Sequence, residues 1–263
     1  MGRTFGTAVH LYDAVMPRRD LPSPFDPAQM QQAVDWAITS RRSMRAFLPR
    51  DVPDTLVSEL LDVARHAASG MNTQPWQVHV VRGAFKRRLS ASIAEIDDDP
   101  ARSAGLQEPY AYYPLQWISP FVDRRRKVGW DLYGLLRIEK GDKAAMHRQH
   151  GRNYRFFDAP VGLFFTVDRT MEAGSLMDYG MFLQSIMVSA KARGLDTCPQ
   201  VAFSKFHALI SEHLGVPEHQ MLVCGMSLGY ADMAQVENSL ATEREPVASF
   251  TTFHHDIDTE TPP

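Results

Sequence analysis

The spacing of apolar residues predicts a chain in which helices alternate with a few strands. Over residues 27–38, and again after Pro53, apolar side chains recur every three to four residues, the period of an amphipathic helix. The second helix is expected to stop at Gly70, because glycine commonly ends helices. Apolar and polar residues alternate over residues 76–81, which predicts a strand, and the spacing over residues 85–96 predicts another helix.

The second half of the chain repeats this pattern with longer elements. Residues 160–167 and 221–226 are continuous apolar runs, typical of buried strands. Between them, residues 176–190 carry an apolar stripe of helical period, which Gly194 is expected to end, and residues 206–214 predict a shorter helix. This mixture of helices and strands indicates an α+β or α/β fold.

Residues 97–155 differ in character from the rest of the chain. They begin with three aspartates, are rich in aromatic residues from Tyr110 to Tyr133, and carry four consecutive basic residues at 124–127. We interpret this segment as an insertion that lies over part of the core. The predicted organisation is therefore an irregular extension over residues 1–27, one domain over residues 28–250 with a lid-like insertion at 97–155, and a C-terminal tail over residues 251–263.

Composition and charge narrow the class of protein. The chain has 263 residues, 44% hydrophobic and 22% charged, which is ordinary for a globular protein, and its net charge of −3 argues against nucleic acid or an anionic membrane as partner. No apolar run approaches the roughly 20 residues of a membrane helix. With only Cys198 and Cys224 available for disulfides, we expect a reduced, cytoplasmic protein. No metal site is predicted, since His147 and His150 lack further ligands nearby in the sequence.

Two polar clusters are candidates for ligand binding. Arg41, Arg42, Ser43 and Arg45 lie within five residues, and guanidinium groups bind phosphate through a planar fork of donors. The alternative is a basic helix end stabilised by the helix dipole. The second cluster, residues 66–76, combines small residues with amide and hydroxyl groups that suit a flat polar ligand; alternatively, it is an ordinary turn.

Taken together, these clusters resemble a known signature. The patterns Arg-Arg-Ser-x-Arg-x-Phe (41–47) and Ser-Gly-x-Asn-x-Gln-Pro-Trp (69–76), separated by an amphipathic helix, resemble the N-terminal motifs of the nitroreductase and iodotyrosine deiodinase superfamily. Residues 178–184 followed by 194–200 resemble the family's interface helix and the loop beside the flavin. Gly229 followed by Arg244 resembles the late arginine that returns to the phosphate. The resemblance spans about residues 33–246.

The resemblance implies a nitroreductase-like α+β fold, with a central, mostly antiparallel sheet flanked by helices, in an intertwined homodimer. It implies an FMN site at the subunit interface and NADH or NADPH as the reductant, so that hydride passes through the flavin, which carries the chemistry, to a nitroaromatic compound in a ping-pong scheme. Reductive dehalogenation, flavin fragmentation and a non-catalytic FMN carrier are the alternatives. The FMN-binding residues that the resemblance implies are Arg41, Arg42, Ser43, Arg45, Ser69, Gly70, Asn72, Gln74, Cys198, Pro199, Gln200, Gly229 and Arg244.

The lid-like insertion is the expected substrate-binding element. Its aromatic side chains are suited to sandwich a small aromatic substrate, and an arginine is suited to receive a nitro or carboxylate group. The alternative is an apolar patch that packs on the partner subunit. The predicted substrate contacts are Met71, Trp117, Phe121, Arg124 and Tyr133.

One motif points to a different class of enzyme. Residues 225–229 read Gly-x-Ser-x-Gly after an apolar run, as in the nucleophile elbow of serine hydrolases, with Ser227 as the nucleophile. His254, His255, Asp256 and Asp258 follow as conceivable partners. Against this interpretation, only 34 residues follow Gly229, and the two polar clusters stay unexplained.

Overall fold

A four-stranded antiparallel sheet forms the centre of the protein, whose residues 25–254 are described by a computed structural model. The strand order is β1-β2-β4-β3, so β2 and β4 are central and β1 and β3 are the edges. The strands are β1 (Gln77–Arg82), β2 (Val161–Asp168), β3 (Asp196–Gln200) and β4 (Gln220–Gly229).

The two central strands are the predicted apolar runs. Residues 161–167 of β2 are all buried, and β4 is buried from Leu222 to Gly229. They pair from Val161 opposite Leu228 to Asp168 opposite Gln220, with one register shift after Phe165. Because neighbouring side chains on a strand point to opposite faces, a strand buried on both faces reads as a continuous apolar run.

Helices cover both faces of this sheet. On one face, α2 and α7 pack against Leu163 and Phe165 of β2. On the other, α3 and α8 pack around Phe164 of the same strand. The helices are α1 (Pro27–Ser40), α2 (Asp54–Ala64), α3 (Gly83–Asp97), α4 (Pro100–Ala104), α5 (Phe121–Leu135), α6 (Lys143–Gly151), α7 (Ala173–Ala192) and α8 (His207–Leu214).

Rings packed edge to face fill the second of these faces. The Phe203 ring lies 5.0 Å from that of Phe164 and 4.7 Å from that of Phe156, measured between ring centroids. The close packing requires glycine on the sheet: a Cβ at Gly225 would lie 2.5 Å from Phe203, and one at Gly162 would lie 2.4 Å from Phe156. The aromatic rings therefore occupy the space that side chains at these two glycines would need.

The insertion predicted over residues 97–155 is mainly helical. It contains α4, α5 and α6 and leads into a 3₁₀ segment, Arg152–Asp158. Its first part is attached to the core, since the Tyr110 hydroxyl donates a hydrogen bond to the Val223 carbonyl at 2.6 Å. Burial raises the pKa of that hydroxyl, so it stays a neutral donor.

The chain divides into two compact units, Met1–Ser40 and Arg41–Pro263. Within the described part of the first unit, α1 begins at Pro27, as the apolar spacing predicts, and Asp26 caps it by accepting the Ala28 N–H at 3.0 Å. Most of the predicted N-terminal extension and residues 255–263 of the predicted tail lie outside the described residues. The predicted domain boundaries stay predictions, whereas the α+β fold with an antiparallel central sheet is confirmed. In residues 25–254, no helix has the length and hydropathy needed to cross a membrane.

Candidate functional site

A cavity of about 270 Å³ lies where the first polar motif, strand β3 and the lid-like insertion meet. The motif contributes Ser43 and Arg45, and β3 contributes residues 198–200. Opposite them stand side chains of α5, α6 and the segment after α6. The remaining lining residues are Tyr113, Leu132, Tyr133, Gln149, His150, Asn153, Phe157, Val201 and Ala202.

Strand β3 is the largest departure from the sequence prediction, which treated residues 194–200 as a loop. Residues 196–200 pair with Gly225–Gly229 of β4. Proline is tolerated here because β3 is an edge strand, where a missing N–H need not break the ladder. On its outer side, Ser43 bridges to Thr197 in parallel, and the Met44 N–H donates to the Thr197 carbonyl at 3.1 Å. The first motif is thereby attached alongside β3.

Arg45 is positioned by a residue that the sequence analysis missed. The buried Asn238 side chain accepts the Arg45 N–H at 2.7 Å and donates to the Ala46 carbonyl at 2.8 Å. Asn238 lies in the polar C-terminal stretch, where no periodic pattern marks it. Its role follows only from the fold, which returns this stretch to the arginine cluster.

Arg41 and Arg244 bring two like charges together. Burial lowers the pKa of the Arg41 guanidinium, and the positive charge of Arg244 lowers it further. The Arg41 Nε atom and the Thr197 Oγ1 atom are buried without hydrogen-bond partners in the described part of the chain. Among the described residues, Arg244 donates only to the side chain of Thr242 and to the carbonyls of residues 242 and 243. Within residues 25–254 neither guanidinium pairs with a carboxylate, so the site suits an anion such as a phosphate monoester.

The second polar motif lies away from this cavity. Its Gly70 N–H is 3.2 Å from both carboxylate oxygens of Asp178 on α7, and the Ser69 hydroxyl accepts the Gln74 N–H at 3.1 Å. Met71, Asn72 and Gln74 all have positive φ, a conformation that costs free energy and needs such anchors.

This motif does not line the cavity in its own chain. Met71 is 98% exposed, and Gly70, Asn72 and Gln74 are exposed as well. Asp178 precedes the last residue of α7 by about 14 residues, or roughly 21 Å of helix, whereas β3 begins after that helix ends. The loop is rigidly held and presented outwards.

The three β3 residues have distinct surroundings. Burial raises the pKa of the Cys198 thiol to about 11, although Arg45, the Ser43 hydroxyl and Arg41 act in the opposite direction. A neutral buried thiol is a poor nucleophile. The Gln200 side chain turns inward, with its Nε2 donating to the Asn153 carbonyl at 2.8 Å, and Pro199 is exposed. All three residues line the cavity, and Pro199 is the exposed one among them.

Two other predicted FMN-binding residues, Arg42 and Gly229, differ in their environments. Arg42 is exposed. Gly229 has a packing reason for lacking a side chain, since a Cβ there would lie 2.7 Å from Pro160.

Of the predicted substrate contacts, Tyr133 lines the cavity. Trp117 lies beside Tyr113, which does line it, at 5.4 Å between ring centroids. Phe121 is exposed, and Arg124 is in an ion pair with Glu245 at 2.9 Å. Tyr113 was among the aromatic residues of the insertion, but its sequence position gave no sign that it, rather than Trp117, reaches the cavity.

The Gly-x-Ser-x-Gly motif is part of the core. Ser227 is fully buried in β4, with its hydroxyl 2.7 Å from Gln200 Oε1 and 2.9 Å from the Phe156 carbonyl oxygen. Gly225 and Gly229 make room for Phe203 and Pro160. Ser227 is therefore an internal hydrogen-bond donor in a strand and not an exposed nucleophile.

We expect Ser227→Ala to leave oxidoreductase activity largely intact while lowering the free energy of unfolding by about 1–3 kcal/mol, the effect of leaving buried acceptors without a donor. Turnover and urea unfolding of the two proteins measure both effects. Loss of all activity, together with labelling of wild-type Ser227 by a fluorophosphonate, would support a serine hydrolase instead.

His147 pairs with Asp98 at 2.8 Å rather than with His150. Within residues 25–254, no group of three or more His, Cys, Asp or Glu side chains is arranged to hold a metal ion.

Comparison with known proteins agrees with the motifs. A sequence model of the Nitroreductase family matches residues 38–230. The chain is 45% identical over 219 residues to a 4-nitrobenzoate reductase of Pseudomonas putida, covering 83% of this chain and 94% of that protein. It is 40% identical over 223 residues to a nitrobenzene nitroreductase of Ectopseudomonas oleovorans, covering 85% and 97%.

A solved structure agrees as well. The FMN and NADPH-dependent nitroreductase NfnB of Sphigopyxis sp. strain HMH superposes with a TM-score of 0.81 at 34% identity, covering 85% of this chain and 99% of that chain. The resemblance inferred from the sequence motifs is confirmed. The chain belongs to the nitroreductase family.

Proposed function

We propose that the protein is an FMN-dependent oxidoreductase that uses NADH or NADPH to reduce a small nitroaromatic compound. The observation that carries this proposal is the pair of arginines, Arg41 and Arg244, which lack an anionic partner within residues 25–254. Arg41 is close enough to Cys198, which lines the cavity, for the two groups to interact electrostatically. The family and the nitroaromatic compounds named for its relatives support the same reaction. When bound, FMN supplies the hydride acceptor and donor.

The residues of this chain bind and orient, and none of them needs to act as nucleophile. Arg41 and Arg244 hold the FMN phosphate through charge-assisted hydrogen bonds, with Arg45 and the Ser43 hydroxyl beside them. The exposed Arg42 adds positive charge at the rim. Cys198 stays a neutral, buried thiol in the cavity lining, while Pro199 and Gln200 of β3 approach the flavin ring.

The aromatic wall of the cavity binds the substrate. Tyr113 and Tyr133 offer ring faces and edges to a flat, electron-poor ring, and Leu132 adds apolar surface. The 4-nitrobenzoate reductase and the nitrobenzene nitroreductase are named for nitroaromatic reduction, so reductive dehalogenation and flavin fragmentation are not proposed.

The purified protein is expected to be yellow, with one FMN per subunit, and under anaerobic conditions to turn over NADPH or NADH continuously only when nitrobenzene or 4-nitrobenzoate is present as acceptor. Chromatography of the heat-released ligand and steady-state turnover test this. A colourless protein that also fails to take up added FMN would end the proposal.

We further propose a homodimer in which the Ser69–Gln74 loop of one protomer completes the FMN site of its partner. The loop is exposed, rigidly anchored on Asp178 and absent from the cavity lining of its own chain. The exposed methionines Met177 and Met181 on α7 extend this surface. Ser69, Gly70, Asn72 and Gln74 would then bind the partner's flavin, with Met71 beside its substrate.

Mixed dimers test this arrangement directly. Arg41→Ala and Asn72→Ala chains are each expected to bind FMN poorly as homodimers. When the two are mixed, one site per dimer combines a normal Arg41 with a normal loop, so FMN occupancy is expected to recover to about half of the sites in mixed dimers. If the loop served its own chain, every site would keep one defect, and no recovery would follow.

A further inference from the structure

Four consecutive cations, Arg124 to Lys127, lie on helix α5, which also carries Leu132 and Tyr133 of the cavity lining. Three of the four have defined contacts. Arg124 pairs with Glu245 at 2.9 Å. Lys127 pairs with Asp131 at 2.8 Å and with Glu243 at 3.4 Å. Arg125 has no carboxylate partner within residues 25–254 and lies instead over two aromatic rings.

Arg125 is exposed, and its guanidinium group contacts those rings. Its Cζ atom is 4.8 Å from the centroid of the Trp117 ring and 5.9 Å from that of Tyr113, both within the range of a cation–π contact. A guanidinium group that stacks by its face keeps its N–H donors along its edge. Within residues 25–254, no side chain accepts a hydrogen bond from Arg125, so its fork of donors is available to a ligand.

The position of Arg125 relates it to the cavity in two ways. Tyr113, one of the rings beneath it, lines the cavity directly. Leu132, also in the lining, follows Arg125 by seven residues on α5, which places the two side chains on the same face of the helix about 10 Å apart along its axis. The Arg125 guanidinium thus contacts one of the rings that line the cavity, on the helix face that also carries Leu132.

We propose that Arg125 is a specificity-determining residue that binds a carboxylate on the aromatic substrate, at the end of the ring remote from the nitro group. This inference rests on the proposed nitroreductase function and narrows its substrate class to anionic nitroarenes. Tyr113 and Tyr133 contact the ring, and the Arg125 fork binds both carboxylate oxygens. A neutral nitroarene makes the same ring contacts without this ion pair.

Arg45 is the competing cation, because it also lines the cavity. Its Nη1 atom already donates to the Ser43 carbonyl at 3.1 Å, and it adjoins the anion site formed by Arg41 and Arg244. Loss of Arg45 would therefore weaken cofactor binding and affect all substrates alike. Loss of Arg125 would affect only the anionic ones.

The test compares kcat/KM for 4-nitrobenzoate and for nitrobenzene, two acceptors that differ by the carboxylate, in FMN-loaded protein. Arg125→Gln is expected to lower kcat/KM for 4-nitrobenzoate about tenfold to a hundredfold, the loss expected for one hydrogen-bonded ion pair, and to change nitrobenzene less than about threefold. Arg125→Lys keeps the charge without the fork. Its kcat/KM for 4-nitrobenzoate is expected to lie between those of wild type and Arg125→Gln. Arg126→Gln, an exposed neighbour on the same helix, is the matched control and should behave as wild type.

Binding of benzoate, which cannot be reduced, gives a second readout. Its inhibition constant against nitrobenzene should rise in Arg125→Gln by a similar factor. Equal losses on both acceptors would show that Arg125 only supports the aromatic cluster, and wild-type behaviour of Arg125→Gln on both would exclude any role; either result overturns the inference while the nitroreductase function stands. A wild-type protein that reduces neither acceptor would overturn the proposed function and this inference with it.

Discussion

Replacing Arg41 by alanine is expected to weaken FMN binding about tenfold to a hundredfold while leaving riboflavin binding nearly unchanged. A hydrogen bond between charged groups contributes about 1.5–3 kcal/mol, and about 1.4 kcal/mol corresponds to a tenfold change in affinity. Arg41 is partly buried, with its Nε atom unpartnered in the described part of the chain, so it is preorganised for an anion. Riboflavin lacks the phosphate, so the affinity for riboflavin should not change when Arg41 is replaced.

The same contrast is expected for Arg244→Ala, because the two guanidinium groups are close enough for one to lower the pKa of the other. Fluorescence titration of apoprotein with FMN and with riboflavin measures both affinities. Arg126→Ala, which removes an exposed arginine from α5, is the control for general loss of positive charge. If Arg41→Ala weakens riboflavin as much as FMN, the phosphate assignment is wrong.

Phe203→Ala is expected to lower the free energy of unfolding by about 3–5 kcal/mol, the usual effect of removing a buried phenyl ring. Phe203 is fully buried and packs against the rings of Tyr154, Phe156 and Phe164. Urea unfolding of the apoprotein at one fixed protein concentration measures the change, because FMN and any subunit association would both add to the apparent stability.

Gly225→Ala is expected to destabilise by about 1–3 kcal/mol, because the added Cβ would lie 2.5 Å from Phe203. Shortening the ring side chain should relieve the clash, so Phe203→Leu combined with Gly225→Ala is expected to cost less than the sum of the two single changes. If the two changes in the free energy of unfolding were strictly additive, the lack of a side chain at Gly225 would be unrelated to Phe203. That result would also reopen the interpretation of the Gly-x-Ser-x-Gly motif as more than a packing feature.

Elements with a strong and regular apolar period were predictable from the sequence. Strands β2 and β4 read as continuous apolar runs because both of their faces are buried. Strand β3 was not predictable, since Asp196 and Pro199 are poor indicators of a strand and its pairing with β4 is set by the fold. The helices of the insertion were hidden because few of their side chains are buried deeply enough to impose a period.

In the candidate site, too, some features were predictable from the sequence and others were not. The arginine cluster was visible because several guanidinium groups close together in the sequence suggest an anion without any knowledge of the fold. The residues that position it were not visible, since Asn238 lies almost 200 residues away from Arg45 and contacts it through a single hydrogen bond. The separation of the Ser69–Gln74 loop from the cavity was likewise not visible, because it depends on the contact between Gly70 and Asp178 of α7, more than 100 residues later in the sequence.

Anaerobic half-reactions test the central claim most directly. Mixing the FMN-loaded protein with NADPH or NADH alone is expected to bleach the yellow flavin absorbance. After the nicotinamide is removed, adding 4-nitrobenzoate or nitrobenzene is expected to restore the absorbance with consumption of the nitro compound, as a ping-pong nitroreductase requires. A flavin that neither nicotinamide bleaches, or a bleached flavin that neither nitro compound reoxidises without oxygen, would contradict the account.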